Sequence, residues 1–113
     1  MTVTFSPAAA APDLRILEYR GVAALDIVAG SSGSSSAASS GAATTTAASA
    51  LVFGAATVAT TTQAAGTGFT SRIITSPNGD NAEDRVITAP GSYSATASLN
   101  GSGPWVMQMA VFK

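Results

Sequence analysis

Asp80, Glu83 and Asp84, with Arg85 beside them, form the only acidic cluster in the chain. Charge chemistry would have to sit there. Carboxylates so close together could bind a divalent cation through oxygen, or divide the work of acid and base. The spacing fits neither use well, because an oxygen-ligand calcium loop sets its donors at regular alternate positions and Asp80 to Asp84 does not. The simpler reading is turn chemistry after Asn78-Gly79 together with a salt bridge to Arg72 or Arg20 on a neighbouring strand. Glu18 set against Asp84 would imitate the carboxylate pair of a glycosidase, but nothing in the spacing requires it.

Trp105, Tyr19 and Tyr93 are the second set with chemical potential. Brought together, they would make a platform on which a sugar ring stacks. A lone Trp after Gly103-Pro104 is also a natural core or rim anchor, and that is the weightier reading. Serine and threonine are abundant, but the chain has no histidine to activate a hydroxyl and no cysteine. Thiolate chemistry, disulfides, zinc sites built on Cys or His, and His general bases are therefore excluded. Asn100-Gly101-Ser102 matches a glycosylation sequon, a short match that arises easily by chance. The chain reads as a non-enzyme with no cofactor.

The rest of the composition says what could position such groups. The chain has 113 residues, which predicts a single domain. It is 46% hydrophobic, but 24 of those residues are alanine, so the core must be thin. Five basic against six acidic residues leave a net charge of −1 and no basic patch, which argues against nucleic acid as a partner. No run approaches the roughly 18 apolar residues of a membrane span. Met1-Thr2-Val3-Thr4-Phe5 lacks the basic start and apolar centre of a secretion signal, so any export signal would have been encoded upstream.

Periodicity predicts strands throughout and no helix. Thr2–Ser6 alternates, with Val3 and Phe5 on one face, and ends at Pro7. Leu14–Val22 alternates again, with a bend or bulge expected at Gly21. Ala23–Val28 reads as a short strand with Leu25 and Ile27 on one side. Residues 29–50 contain only Ala, Gly, Ser and Thr. They divide into a flexible, exposed Ser/Gly/Ala-rich loop near 30–40 and an edge strand over 41–48. Ala50–Val58 reads as buried, Phe69–Thr75 and Ala82–Thr88 as strands, and Ser76–Asn81 as a tight turn around Asn78-Gly79. Ser92–Leu99 alternates strictly, with Tyr93, Ala95, Ala97 and Leu99 inward. A turn at Asn100–Pro104 then feeds Trp105–Phe112, predicted as a strand buried on both faces. The fold class expected is all-β: an antiparallel, jelly-roll-like β-sandwich of about seven to eight short strands.

Ile16–Val22 with Leu25-Asp26, then Ala43–Thr46, Gly66–Thr70, Ala82–Arg85 and Trp105–Gln108, taken in order, resemble a known family. It is the Ala/Gly/Ser/Thr-rich, jelly-roll-like β-sandwich domain of secreted and surface proteins of bacteria and their phages. The resemblance covers nearly the whole chain. It implies a structural, adhesive or carbohydrate-associated module and an extracellular or cell-surface location, and it carries no catalytic residues over. In that family Thr2–Phe5 would lie mid-domain, so the chain resembles the C-terminal part of the domain.

These observations predict a structural subunit of an extracellular filament, coat or surface layer that polymerises with copies of itself through strand edges. Trp105, Met107, Met109, Val111 and Phe112 of the closing strand, with Val3 and Phe5, are the residues expected to be covered by another copy. The alternative is a carbohydrate- or cell-surface-binding module using Trp105, Tyr19 and Tyr93.

Overall fold

The computed structural model describes residues 1–113. Eight strands follow one another with no helix: β1 Leu25–Ser39, β2 Ala43–Thr45, β3 Ala50–Val58, β4 Thr62–Ala65, β5 Thr70–Ile74, β6 Asn81–Ile87, β7 Gly91–Tyr93 and β8 Thr96–Phe112. Every pairing is antiparallel. The main sheet has the order β1-β8-β3-β6-β5, β4 pairs with the first part of β8, and β2 and β7 form a separate ribbon. The expected antiparallel, sandwich-like all-β fold is what the chain adopts, although β1 and β8 are long rather than short, at 15 and 17 residues.

The two layers come from one bent ribbon. Along β1 and β8 the register runs evenly from Ile27↔Val111 to Ser35↔Gly103 and then jumps to Ala37↔Ser98. Leu99–Ser102 thus stand against Ser36 alone, a bulge that turns the ribbon. Beyond it, Ala38, Ala97 and Leu99 join Val52, Ala56, Met107, Met109 and Val111 in a single core. Five of the twelve residues in that core are alanines, so the layers lie close together. A Cβ placed on Gly54 would come within 2.7 Å of the Ala95 Cβ. Small side chains are therefore what this packing demands.

Several sequence expectations hold. Strands occupy 50–58, 70–74 and 81–87. Ala95, Ala97 and Leu99 point inward and are buried. The turn between β5 and β6 carries Gly79 at φ +77°, a value that disfavours a side chain, and Gly21 has φ +81° at the expected bend.

Others are corrected. The flexible loop expected near 30–40 is instead the greater part of β1. Gly and Ser have weak strand preference, but a long partner strand outweighs it. Leu14–Val22 is no ladder strand. Asp13, Arg15, Leu17 and Tyr19 turn towards the protein and Leu14, Ile16, Glu18 and Arg20 turn away. The segment lies over the sheet face, anchored by side chains, so its backbone has no neighbour to pair with until Ala23 and Ala24 bond to Lys113. Thr2–Ser6 likewise forms no strand.

The closing strand is buried on one face only. Met107, Met109 and Val111 are inside, whereas Val106 and Gln108 are exposed. Asn100–Pro104 does not reverse the chain and lies within β8. Ser94 and Ala95 interrupt the strand expected over 92–99. A register shift between Leu25 and Ile27 turns these two residues to opposite faces.

Candidate functional site: a clasped outer face and a free edge

The outer face of the sheet, away from the core, carries Phe53 and Ala55 of β3, Asp84 of β6, and Ala110 and Gln108 of β8, as the register dictates. Residues 13–22 cross part of this face like a strap. Arg15 Nη1 donates to the carbonyls of Ala56 at 2.7 Å and Asn81 at 2.8 Å, closing the end of the β3–β6 ladder. Tyr19 donates its hydroxyl to Asp84 Oδ2 at 2.7 Å and sets its ring edge-on to Phe53, with centroids 6.2 Å apart. Asp84 also accepts from Arg72 Nε at 2.7 Å and Nη2 at 2.8 Å. This two-pronged ion pair is the main reason that its carboxyl is held below the usual value. Burial first, and then Asp84, push the Tyr19 hydroxyl upward. At the far end of the strap, Thr75 donates to Asp13 Oδ2 at 2.9 Å and the Val58 N–H donates to Asp80 Oδ1 at 2.8 Å. Burial pushes the Asp80 carboxyl upward, and its hydrogen bond holds the Asp13 carboxyl down.

Asp80, Glu83 and Asp84 therefore do not converge. Asp80 ties off the β5–β6 turn and Asp84 holds the strap, while Glu83, one residue from Asp84, faces inward. The Glu83 side chain is 0% exposed. Its Oε2 accepts from Gly66 N and Asn81 Nδ2, both at 3.0 Å, while Oε1 has no partner in the chain. Burial raises its pKa above the ordinary carboxylate value. The salt bridge foreseen from this cluster is the one between Asp84 and Arg72; Arg20 pairs only with Glu18, at 3.6 Å in solvent.

The three aromatic candidates are likewise apart. Trp105 packs at the rim of the core, donates Nε1 to Ser35 Oγ at 3.0 Å and lays its indole across Gly33. Tyr93 also packs against the core, donates to the Ala89 carbonyl at 2.9 Å and lies beneath the Arg85 guanidinium. Tyr19 belongs to the strap. No shared stacking surface results.

Of the residues expected to be covered by another copy, Met107, Met109 and Val111 are enclosed by this chain's own core. Phe112 is half-buried opposite Leu51, whereas Val3 and Phe5 remain 42% and 46% exposed.

The feature that sequence reasoning missed is the outer edge of β1. It pairs with β8 on one side only. Pro104 aims its carbonyl at Ala59 of the segment after β3, so the Ser34↔Pro104 pair exchanges no bonds across β1 and β8. Backbone groups alternate in direction along a strand. The N–H and C=O groups of Val28, Gly30, Ser32 and Ser34 therefore point away from the sheet. From Ile27 to Ser39 this edge holds neither a charge nor a proline. Next to it, Val28, Gly30, Phe53, Ala55, Gln108 and Ala110 line an open apolar groove of about 560 Å³ that the strap leaves uncovered. The signal available in the sequence was the absence of charge and proline over thirteen residues, and composition alone reads that as a linker. No protein-family model matches this chain, and no curated protein or solved structure matches it either.

Proposed function

We propose that this chain is a structural subunit that assembles with copies of itself through the free edge of β1, in an extracellular or cell-surface filament, coat or layer. The observation that carries the reading is the unpaired edge from Val28 to Ser34. Natural sheets protect long edges with Lys, Pro, strong twists or covering segments. This edge has a bulge at each end of an even stretch from Ile27 to Ser35 and nothing else to guard it. Beyond Val28 and Ala29 the residues along it are Gly and Ser, small enough for another strand to approach closely. The net charge of −1 gives little repulsion between copies. A carbohydrate-binding module draws less support, because Trp105, Tyr19 and Tyr93 do not combine into one surface.

Static light scattering over a concentration series tests the reading. The expected result is growth of the apparent mass with concentration, with an unchanged β-type circular dichroism spectrum. Ser32→Lys, which places a charge on the free edge, should abolish the growth and leave the fold intact. A monodisperse monomer at the highest accessible concentration would overturn the proposal.

A further inference from the structure

The edge of β1 needs an occupant, and the chain carries a segment of strand-like pattern that pairs with nothing. Thr2–Ser6 alternates polar and apolar residues, and none of its backbone groups bonds to the rest of the chain. Val3 and Phe5 lie half-exposed on one face of it. We infer that Thr2–Ser6 of one copy adds as an antiparallel strand to the β1 edge of the next copy, with Phe5 opposite Gly30 and Val3 opposite Ser32. This rests on the edge-assembly reading above and specifies its partner.

Three features support this register. The first is chemical match. Thr2–Ser6 and Ile27–Ser39 are both uncharged, so the pairing buries no charge and brings no like charges together. The second is side-chain direction. A residue that exchanges both backbone bonds with Gly30 puts its side chain on the same face as Gly30. That is the outer face, where Gly30 lines the apolar groove with Phe53, Ala55 and Ala110. Phe5 opposite a glycine has room to lay its ring into that groove, while Val3 covers the neighbouring surface. Thr2, Thr4 and Ser6 then face the other way. The third feature is geometry. Pairing β1 with β1 would be a two-fold contact that closes at two copies. A strand offered at one site and received at another is a head-to-tail contact, which can continue into a filament.

The test uses two variants of the whole chain, each at a residue outside the core cluster. Phe5→Asp disables the donor, at a position that is 46% exposed. Gly30→Glu disables the acceptor, and a Cβ at Gly30 meets nothing nearer than 3.7 Å. Circular dichroism and urea midpoints matching the wild type establish that both fold. Each variant alone should remain a monomer by light scattering. Mixed, they should form a complex of one to one and stop, because the intact donor of one fits the intact acceptor of the other. Val3→Asp should repeat the Phe5→Asp result. If Phe5→Asp assembles like the wild type, the inference falls while edge assembly stands. If the mixture stays monomeric, the inference also falls. If the wild type itself never assembles, both fall together.

Discussion

Glu83 and Asp84 are neighbours in sequence whose ionisation acts on stability with opposite sign. Burial raises the Glu83 pKa above its ordinary 4.5. Between 4.5 and the raised value the folded chain binds more protons than the unfolded one, so this group lowers stability as pH rises through that window and then levels off. Glu83→Gln keeps the shape and removes the ionisation. Urea midpoints against pH should show that this decline has gone from the variant; an unchanged slope would mean that Glu83 does not titrate there. The Arg72 guanidinium holds Asp84 below 3.8, so its contribution is present above 3.8 and is lost as pH falls through the lower folded value. Asp84→Asn should remove that acid-side loss and lower stability near neutral pH by about 1–3 kcal/mol, because a buried acceptor serving Arg72 and Tyr19 is weakened. Tyr19→Phe, which deletes one of those bonds, should cost about 1 kcal/mol.

At the scale of strands, β3 shows how closely the two layers are fitted. Gly54 sits where Ala95 approaches from the other layer and the side chain of Glu83, its cross-strand neighbour on β6, crowds the same space, at 2.7 and 3.0 Å from the position of an added Cβ. Gly54→Ala should therefore destabilise the fold by about 1–3 kcal/mol through overpacking, although alanine is the better strand residue. A denaturation midpoint at or above that of the wild type would show that the layers can move apart freely. The strands β3, β5 and β6 were legible in the sequence because apolar or β-branched runs bounded by turn residues mark them, although β5 is exposed along its whole length. Ala95, Ala97 and Leu99 were legible because strict alternation agreed with their burial. The strand β1 was not, because Gly, Ser and Ala carry no hydrophobic period, and it is the distant β8 that fixes their conformation. The strap was half legible. A period of two correctly sorted Arg15, Leu17 and Tyr19 from Ile16, Glu18 and Arg20, but it cannot tell a strand within a ladder from one lying across a face. In the acidic cluster, an ion pair to Arg72 could be foreseen from charge alone. The burial of Glu83 could not, since it depends on which layer closes over β6.

For the whole molecule, a thin core and a nearly uncharged surface favour association, and they also predict what kind. Most acidic groups are engaged within the chain: Asp84 with Arg72, Asp26 with Lys113 at 2.6 Å, and Asp80 with the Val58 N–H. The proposed contact between copies uses backbone hydrogen bonds and the apolar side chains of Val3 and Phe5, with no charge on either strand. Salt acts mainly by screening charges, over about 10 Å at 0.1 M ionic strength. Raising sodium chloride should therefore change the concentration at which assembly begins by no more than about two-fold, because no ion pair is there to be screened. Sodium sulfate, which is excluded from protein surfaces and favours burial, should lower that concentration. Light scattering across the two salt series decides between contact types. A steep weakening in sodium chloride would mean that ion pairs join the copies, which would move the contact away from β1 towards the charged strap around Glu18 and Arg20.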